Sequence, residues 1–137
     1  MNKIFIFDVD GTLTPSRLPM TEKFQKFFKK WIKKNNFYLV TGSDLPKLQE
    51  QMCFYDIEAE GIFTCCGNQF WEVDPAVHPK HCDLVYEHKF KPPNNLLTYL
   101  GEELRMSKYH HRAGNHIEDR GSMLNFSVVG RDCSLME

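Results

Sequence analysis

Short apolar runs alternate with a longer segment of helical periodicity in the first third of the chain. The runs Ile4 to Phe7 and Phe37 to Val40 have the length and the β-favouring side chains of buried strands. Between them Thr21 can cap a helix, and apolar residues then recur at helical spacing, namely Phe24, Phe27, Phe28, Trp31 and Ile32. A strand, a helix and a second strand with short links predict a parallel pair, with the aromatic stripe of the helix in the core.

The same pattern continues more weakly up to residue 74. A second helix is indicated by Leu45, Leu48 and Met52, which lie on one side of the helix. A third strand is expected within Ile57 to Thr64, and a fourth over Gln69 to Val73. The predicted fold class is therefore α/β, with a partial parallel sheet and flanking helices in a Rossmann-like core.

The character of the sequence changes between Asp74 and Pro93, where prolines and histidines are frequent. We place a domain boundary here, which gives a core over residues 1–74 and a second, smaller domain over residues 75–137. In the second domain, a helix beginning at Asn94 or Asn95 precedes a hairpin with its turn at Arg120-Gly121. This order predicts a small α+β domain.

Two carboxylates, Asp8 and Asp10, follow the first strand directly. Ligands of open α/β sheets gather beyond the carboxyl ends of the strands, so both acids should face one site, with Val9 pointing away between them. One carboxylate can attack phosphorus and also hold Mg2+, while the other exchanges a proton with the leaving oxygen. The alternative is a strand that ends in an Asx-type turn, which any Asp-x-Asp-Gly sequence can form.

Hydroxyl and guanidinium groups lie near the two acids or at the same predicted sheet edge. Thr12, Thr41 and Ser43 can each offer a hydroxyl to a phosphoryl oxygen. Arg17 can provide a bidentate contact to phosphate. The alternatives are that Ser43 or Asp44 caps the following helix, and that Arg17 is an exposed loop residue.

Charge, hydropathy and cysteine content limit the partners and the cellular compartment that we expect. The 17 basic and 18 acidic residues nearly cancel, so neither nucleic acid nor an anionic membrane is an expected partner. No apolar run approaches the roughly 20 residues of a membrane span. The 5 cysteines are odd in number and form no Cys-x-x-Cys pair. We therefore expect free thiols and a cytoplasmic location.

Three separated blocks resemble one known family. They are Phe7 to Arg17 (F-D-V-D-G-T-L-T-P-x-R), Gly42 to Gln51 (G-S-D-x-x-K-x-Q-E-Q) and Glu118 to Arg131 (E-D-R-G-S-M-L-N-F-S-V-V-G-R). The first block resembles the leading motif of the haloacid dehalogenase (HAD) phosphotransferases. Together, the three resemble the eukaryotic-type phosphomannomutases, in which a cap hairpin presents two arginines to a sugar phosphate. The resemblance implies a HAD core with the start of an α+β cap.

The resemblance also implies roles for particular residues. Asp8 would be the phosphorylated nucleophile and Asp10 the general acid and base, and both would contribute to the Mg2+ site. Arg17, Arg120 and Arg131 would bind phosphate or sugar. The family is an isomerase that interconverts mannose 6-phosphate and mannose 1-phosphate through a sugar bisphosphate activator. It supplies GDP-mannose synthesis and forms a homodimer through its caps.

The chain also departs from the family pattern. Family chains are considerably longer and return from the cap to the core with a lysine and a further acidic Mg2+ cluster, so we expect a truncated or short form. Cys65-Cys66-Gly67-Asn68 replaces a more acidic turn. Two other functions stay open: a HAD sugar-phosphate phosphatase that uses the same aspartates with water as acceptor, and a non-catalytic fragment that binds a sugar phosphate through Arg120 and Arg131.

Overall fold

The computed structural model describes residues 3–52, 59–74, 76 and 81–134. The chain divides into two compact units, Met1–His88 and Lys89–Glu137. The sequence places its boundary earlier, between residues 74 and 75. The strand His81–Glu87 pairs with the strand before it and therefore lies in the first unit.

The first unit contains a five-stranded mixed sheet. Its strands are β1 (Phe5–Asp8), β2 (Phe37–Val40), β3 (Gly61–Thr64), β4 (Gln69–Asp74) and β5 (His81–Glu87), in the spatial order β1-β2-β3-β4-β5. The predicted parallel pairing of β1 and β2 is confirmed, and β3 is parallel to β2, whereas β4 and β5 are antiparallel to their neighbours. The α/β class is confirmed. The predicted start of β3 at Ile57 lies outside the described residues.

Among the described residues of this unit, the α-helices are α1 (Glu22–Ile32) and α2 (Leu45–Met52), close to the predicted segments. Phe28 and Ile32 of α1 pack in the core with Phe37 and Leu39 of β2 and with Leu48 of α2. The prediction that the whole aromatic stripe is core was wrong for Phe27. Its side chain is 59% exposed and lines an open apolar groove of about 310 Å³ beside Phe24 and Trp31.

The prediction that Ile4 to Phe7 forms a buried strand was also wrong, because only one face of the strand is covered. Phe5 and Phe7 pack against the aromatic rings of α1, and Ile6 points to the other face of the sheet, where it is 65% exposed. The strand registers place four more apolar side chains on this face, none of them fully buried. We call this set the open face; it consists of Ile6, Tyr38, Val40, Phe63 and Phe70.

The described part of the second unit, residues 89–134, contains one helix and one hairpin, as the sequence predicts. The helix α3 spans Asn94–Met106, and the antiparallel strands are β6 (Ile117–Asp119) and β7 (Leu124–Phe126). The hairpin turn is closed by Arg120 N–H, which donates to the Met123 carbonyl at 3.0 Å. In the described part of the chain, no helix is long and apolar enough to cross a membrane.

Candidate active site

The carboxyl ends of three parallel strands meet at one edge of the sheet. Asp8 at the end of β1 pairs in register with Val40 at the end of β2, and Val40 pairs with Phe63 of β3. The loops that follow these strands therefore begin at the same edge, which is where ligands of α/β sheets bind. They contain the predicted site residues of the first unit.

The loop after β1 winds tightly around a buried carbonyl group. The amides of Thr12, Leu13 and Thr14 all donate to the carbonyl oxygen of Val9, at 3.2, 3.0 and 3.0 Å, and the Val9 side chain is buried. Asp8 is left exposed at the strand end. The Thr12 hydroxyl, predicted to contact a phosphoryl oxygen, donates to Asp8 Oδ2 at 3.3 Å in this structure.

Asp10 is held by donors from two other segments of the chain. Its Oδ1 accepts the backbone N–H of Arg17 at 2.7 Å and the side-chain amide of Gln51 at 2.8 Å. Arg17 has a φ of +61°, uncommon for a residue other than glycine. Sequence reasoning did not identify Gln51. The sequence feature that could have indicated Gln51 is a polar side chain at a core-facing position of α2, one helical turn after Leu48.

Thr41 and Ser43 lie in the loop after β2. Thr41 is buried, and its hydroxyl oxygen accepts the backbone N–H of Ser43 at 3.0 Å. Asp44 caps α2, since its Oδ1 accepts the backbone N–H of Lys47 at 3.1 Å. Of the two capping residues considered from the sequence, Asp44 therefore takes that role.

A turn after β3 fixes the loop of Thr41 and Ser43 in place. Cys65 and Cys66 both have positive φ values, 51° and 58°, outside the range that these side chains prefer. Their amides donate to the carbonyl oxygens of Ser43 and Thr41, at 2.9 and 3.0 Å. The backbone of the second loop is therefore held by the third.

In the second unit, two arginines converge on one carboxylate. Glu118 Oε2 accepts from Arg120 Nη2 at 2.7 Å and Nε at 3.1 Å, and it pairs with Arg131 Nε at 3.4 Å. Asn125, opposite Glu118 in the hairpin, donates to the same oxygen at 3.4 Å. Burial alone would raise the pKa of Glu118, but the hydrogen bonds and charges of Arg120, Arg131 and Asn125 lower it below its ordinary value.

Glu118 was also not identified from the sequence. Glu118 lies two residues before Arg120, and residues two apart in a strand share a face. The opposite charges at these two positions could therefore have indicated an ion pair. The Arg120 side chain is almost fully buried, which is rare for an arginine unless it is paired.

The turn before Arg131 depends on a glycine. Gly130 has a φ of +93°, and a Cβ at this position would overlap the backbone carbonyl of Ala113. The Ser127 hydroxyl oxygen accepts the Gly130 N–H at 3.1 Å, and Arg131 N–H donates to the Asn115 carbonyl at 2.9 Å. These contacts fix the backbone from which Arg131 reaches Glu118.

The side chains at the sheet edge can be compared with the ligands that the predicted Mg2+ requires. Within the described residues, no group of three or more histidine, cysteine, aspartate or glutamate side chains is arranged to hold a metal ion. Asp8 and Asp10 supply carboxylate oxygens, and Mg2+ is commonly bound through one or two carboxylates together with water and substrate phosphate. The two residues therefore fit a Mg2+ site of that open kind.

Comparison with known proteins identifies the family. Residues 24–137 match the family model described as eukaryotic phosphomannomutase. The chain belongs to this family. The phosphomannomutase of Encephalitozoon cuniculi (strain GB-M1) is 37% identical over 138 residues, which cover 98% of this chain and 52% of that protein. Phosphomannomutase 1 of Mus musculus is 30% identical over 145 residues, which cover 96% of this chain and 51% of that protein.

The chain spans about half the length of the curated relatives it matches. These matches include the acid pair, which precedes the segment matched by the family model. A solved phosphatase of the haloalkanoate (HAD) enzyme superfamily from Bacteroides thetaiotaomicron aligns with a TM-score of 0.49 and 16% identity, over 77% of this chain and 36% of that one.

Proposed function

We propose that the chain carries the phosphoryl-transfer site of a phosphomannomutase, which interconverts mannose 6-phosphate and mannose 1-phosphate through an aspartyl phosphate and a sugar bisphosphate. The observation that carries the proposal is the placement of Asp8 and Asp10 at the carboxyl end of β1, in a chain that belongs to this family. The exposed Asp8 carboxylate is accessible to a phosphoryl group, and Asp10 is fixed by hydrogen bonds beside it.

In the proposed reaction, an oxygen of Asp8 attacks the phosphorus of a sugar phosphate. Asp10 gives a proton to the departing sugar oxygen and takes one from the sugar hydroxyl that later accepts the phosphoryl group. Thr12, Thr41 and Ser43 are proposed to hold phosphoryl oxygens, and Arg17, Arg120 and Arg131 to bind the phosphates or the sugar. Asp8 and Asp10 would hold Mg2+, which would neutralise charge on the transferring group.

Further proposals concern the cellular compartment, the oligomeric state and the use of the product. Cys65, Cys66 and Cys82 are free thiols, which supports a reducing, cytoplasmic compartment. Cys53 lies outside the described residues. The exposed side chains of Tyr99 and Met106, two helical turns apart on one face of α3, support a homodimer through the second unit. The mannose 1-phosphate formed would supply GDP-mannose synthesis.

The proposal is tested by labelling and product analysis with the 137-residue chain. We expect a radiolabelled hexose bisphosphate to label Asp8, and Asp8→Asn to abolish the label. Asp10→Asn should slow the labelling roughly a hundredfold or more, which is typical for loss of general acid-base catalysis. Asp83→Asn, at an exposed position of β5, is the matched control and should label normally.

Labelling that persists in Asp8→Asn would contradict the assignment of the nucleophile. With mannose 1-phosphate and a bisphosphate activator, a mutase forms mannose 6-phosphate, whereas a phosphatase releases inorganic phosphate. Release of phosphate alone would replace the proposed reaction with hydrolysis.

A further inference from the structure

We propose that Gln51 is a positioning residue that holds the carboxylate of Asp10 in the orientation used for acid-base catalysis. The inference rests on the proposed function, because it concerns Asp10 as the general acid and base. It comes from a single geometric feature: two N–H donors, on separate segments of the chain, converge on one carboxylate oxygen.

The two donors make the oxygens of Asp10 inequivalent. Oδ1 accepts the Arg17 N–H at 2.7 Å and the Gln51 side-chain N–H at 2.8 Å. A carboxylate that accepts two N–H groups at one oxygen is restricted to one orientation. Asp10 Oδ2 is left to face the site.

The surroundings of Gln51 indicate that its donor group is the important one. The residue is 1% exposed, and its Oε1 has no hydrogen-bond partner among the described residues. A buried acceptor without a partner is unfavourable, so an apolar side chain of similar size would suit the packing at least as well. What a glutamine adds at this position is the N–H directed at Asp10.

The backbone of Gln51 is also fixed. Gln51 lies in the last turn of α2 beside the buried Met52, and its carbonyl oxygen accepts the N–H of Met20 at 2.9 Å. The same glutamine thus joins the loop that precedes α1 to the acid loop after β1. A side chain anchored in this way can hold Asp10 in one rotamer through both proton transfers.

A proton from Asp10 is needed only for some leaving groups. When Asp8 attacks a sugar phosphate, the Asp8 O–P bond forms, the bond between phosphorus and the sugar oxygen breaks, and the electron pair on that oxygen takes a proton from Asp10. Acetyl phosphate instead releases acetate, a stable anion that leaves without a proton. Comparing a hexose bisphosphate with acetyl phosphate as the phosphoryl donor therefore distinguishes a positioning role of Gln51 from a general structural one.

The test measures the rate of Asp8 labelling in the 137-residue chain from a radiolabelled hexose bisphosphate and from radiolabelled acetyl phosphate. We expect Gln51→Met to slow labelling from the bisphosphate about ten- to a hundredfold and to leave labelling from acetyl phosphate unchanged. Gln51→Leu also removes the donor without adding a charge, and it should show the same selective loss. Gln49→Met on the same helix is the matched control.

If Gln51→Met slows labelling equally from the bisphosphate and from acetyl phosphate, Gln51 acts only through the fold. If it slows labelling from neither, Gln51 does not position Asp10. Each result overturns the inference. If Gln51→Met does not fold, Gln51→Leu decides by the same comparison. A wild-type chain that is not labelled from the bisphosphate overturns the proposed function, and the inference with it.

Discussion

Glu118 shows how a single carboxylate can fix two arginines relative to each other. Two guanidinium groups that lie close together repel each other, and a shared carboxylate offsets this repulsion. Because both Arg120 and Arg131 contact the same Glu118 oxygen, their positions relative to each other are set before any ligand binds. A phosphate that binds these arginines would meet a prearranged pair.

The lowered pKa of Glu118 predicts how this cluster responds to pH. A carboxylate whose pKa is lower in the folded state stabilises the fold above the pKa of the unfolded chain, and this contribution is lost as the pH falls through the folded-state value. Glu118→Gln should therefore lower the free energy of unfolding at neutral pH, and the difference from wild type should shrink on acidification. The effect should be about 1 kcal/mol or less, because the Glu118 side chain is 35% exposed.

Urea denaturation followed by circular dichroism at several pH values measures this difference. Glu102→Gln, at an exposed position of α3, is the matched control and should show no such pH dependence. A difference between Glu118→Gln and wild type that grows on acidification would contradict the assigned ion pairs.

Among the elements, the contact of β3 with its two neighbours depends on one small residue. Gly61 begins β3 in register with Tyr38 of β2 and Glu72 of β4, and the ring of Phe70 on β4 lies over it. A Cβ at Gly61 would lie 2.5 Å from the nearest ring carbon of Phe70 and 3.2 Å from one of Tyr38. Side chains larger than hydrogen therefore displace the aromatic rings of the adjacent strands.

Gly61→Ala should lower the free energy of unfolding of the first unit by about 1 to 3 kcal/mol, as overpacking does. Both tryptophans, Trp31 and Trp71, lie in this unit, so their fluorescence during urea denaturation measures the loss. Adding Phe70→Leu, which shortens the ring side chain, should recover part of it. Full stability in Gly61→Ala would show that the Phe70 ring moves without penalty.

Unlike Gly61→Ala, the substitution Gly101→Ala should increase stability. Gly101 lies inside α3, and a Cβ there would meet nothing within 4 Å. Alanine loses less backbone entropy than glycine in a helix, so this variant should be more stable by about 0.5 to 1 kcal/mol. Denaturation followed by the helical circular dichroism signal measures the gain, and a loss of stability would contradict it.

The elements with a strong local pattern were predictable from the sequence, and the others depend on tertiary contacts. Phe37 to Val40 is a compact apolar run and forms β2 as predicted, whereas β5 contains charged residues between prolines and exists through its pairing with β4. At the candidate site, Asp8 could be located because it follows a strand. Gln51 could not, because its partner Asp10 is 41 residues away in sequence.

At the scale of the whole molecule, the sheet of the first unit has one covered and one uncovered side. Its core side packs against α1 and α2, while the open face carries five apolar side chains that are all at least partly exposed. Of the described strands, β1 has a neighbour on one side only, so its outer backbone groups are unpaired within the described sheet. An apolar face beside a strand edge favours association with other chains.

Ile6→Lys should therefore reduce self-association of the 137-residue chain, because it places a charge on the open face at the edge strand. Sedimentation velocity over a range of protein concentrations measures the effect. Leu18→Lys makes the same change at an exposed loop position of the same unit and should leave association unchanged. Equal behaviour of the two variants would show that the open face is not the surface involved.

The open face also affects what a melting temperature of this chain means. If folded chains associate through it and unfolded chains do not, mass action adds the free energy of association to that of folding. The midpoint of thermal unfolding then rises with protein concentration, and a value measured in dilute solution applies only to that concentration. Each chain would gain part of its stability from its neighbours.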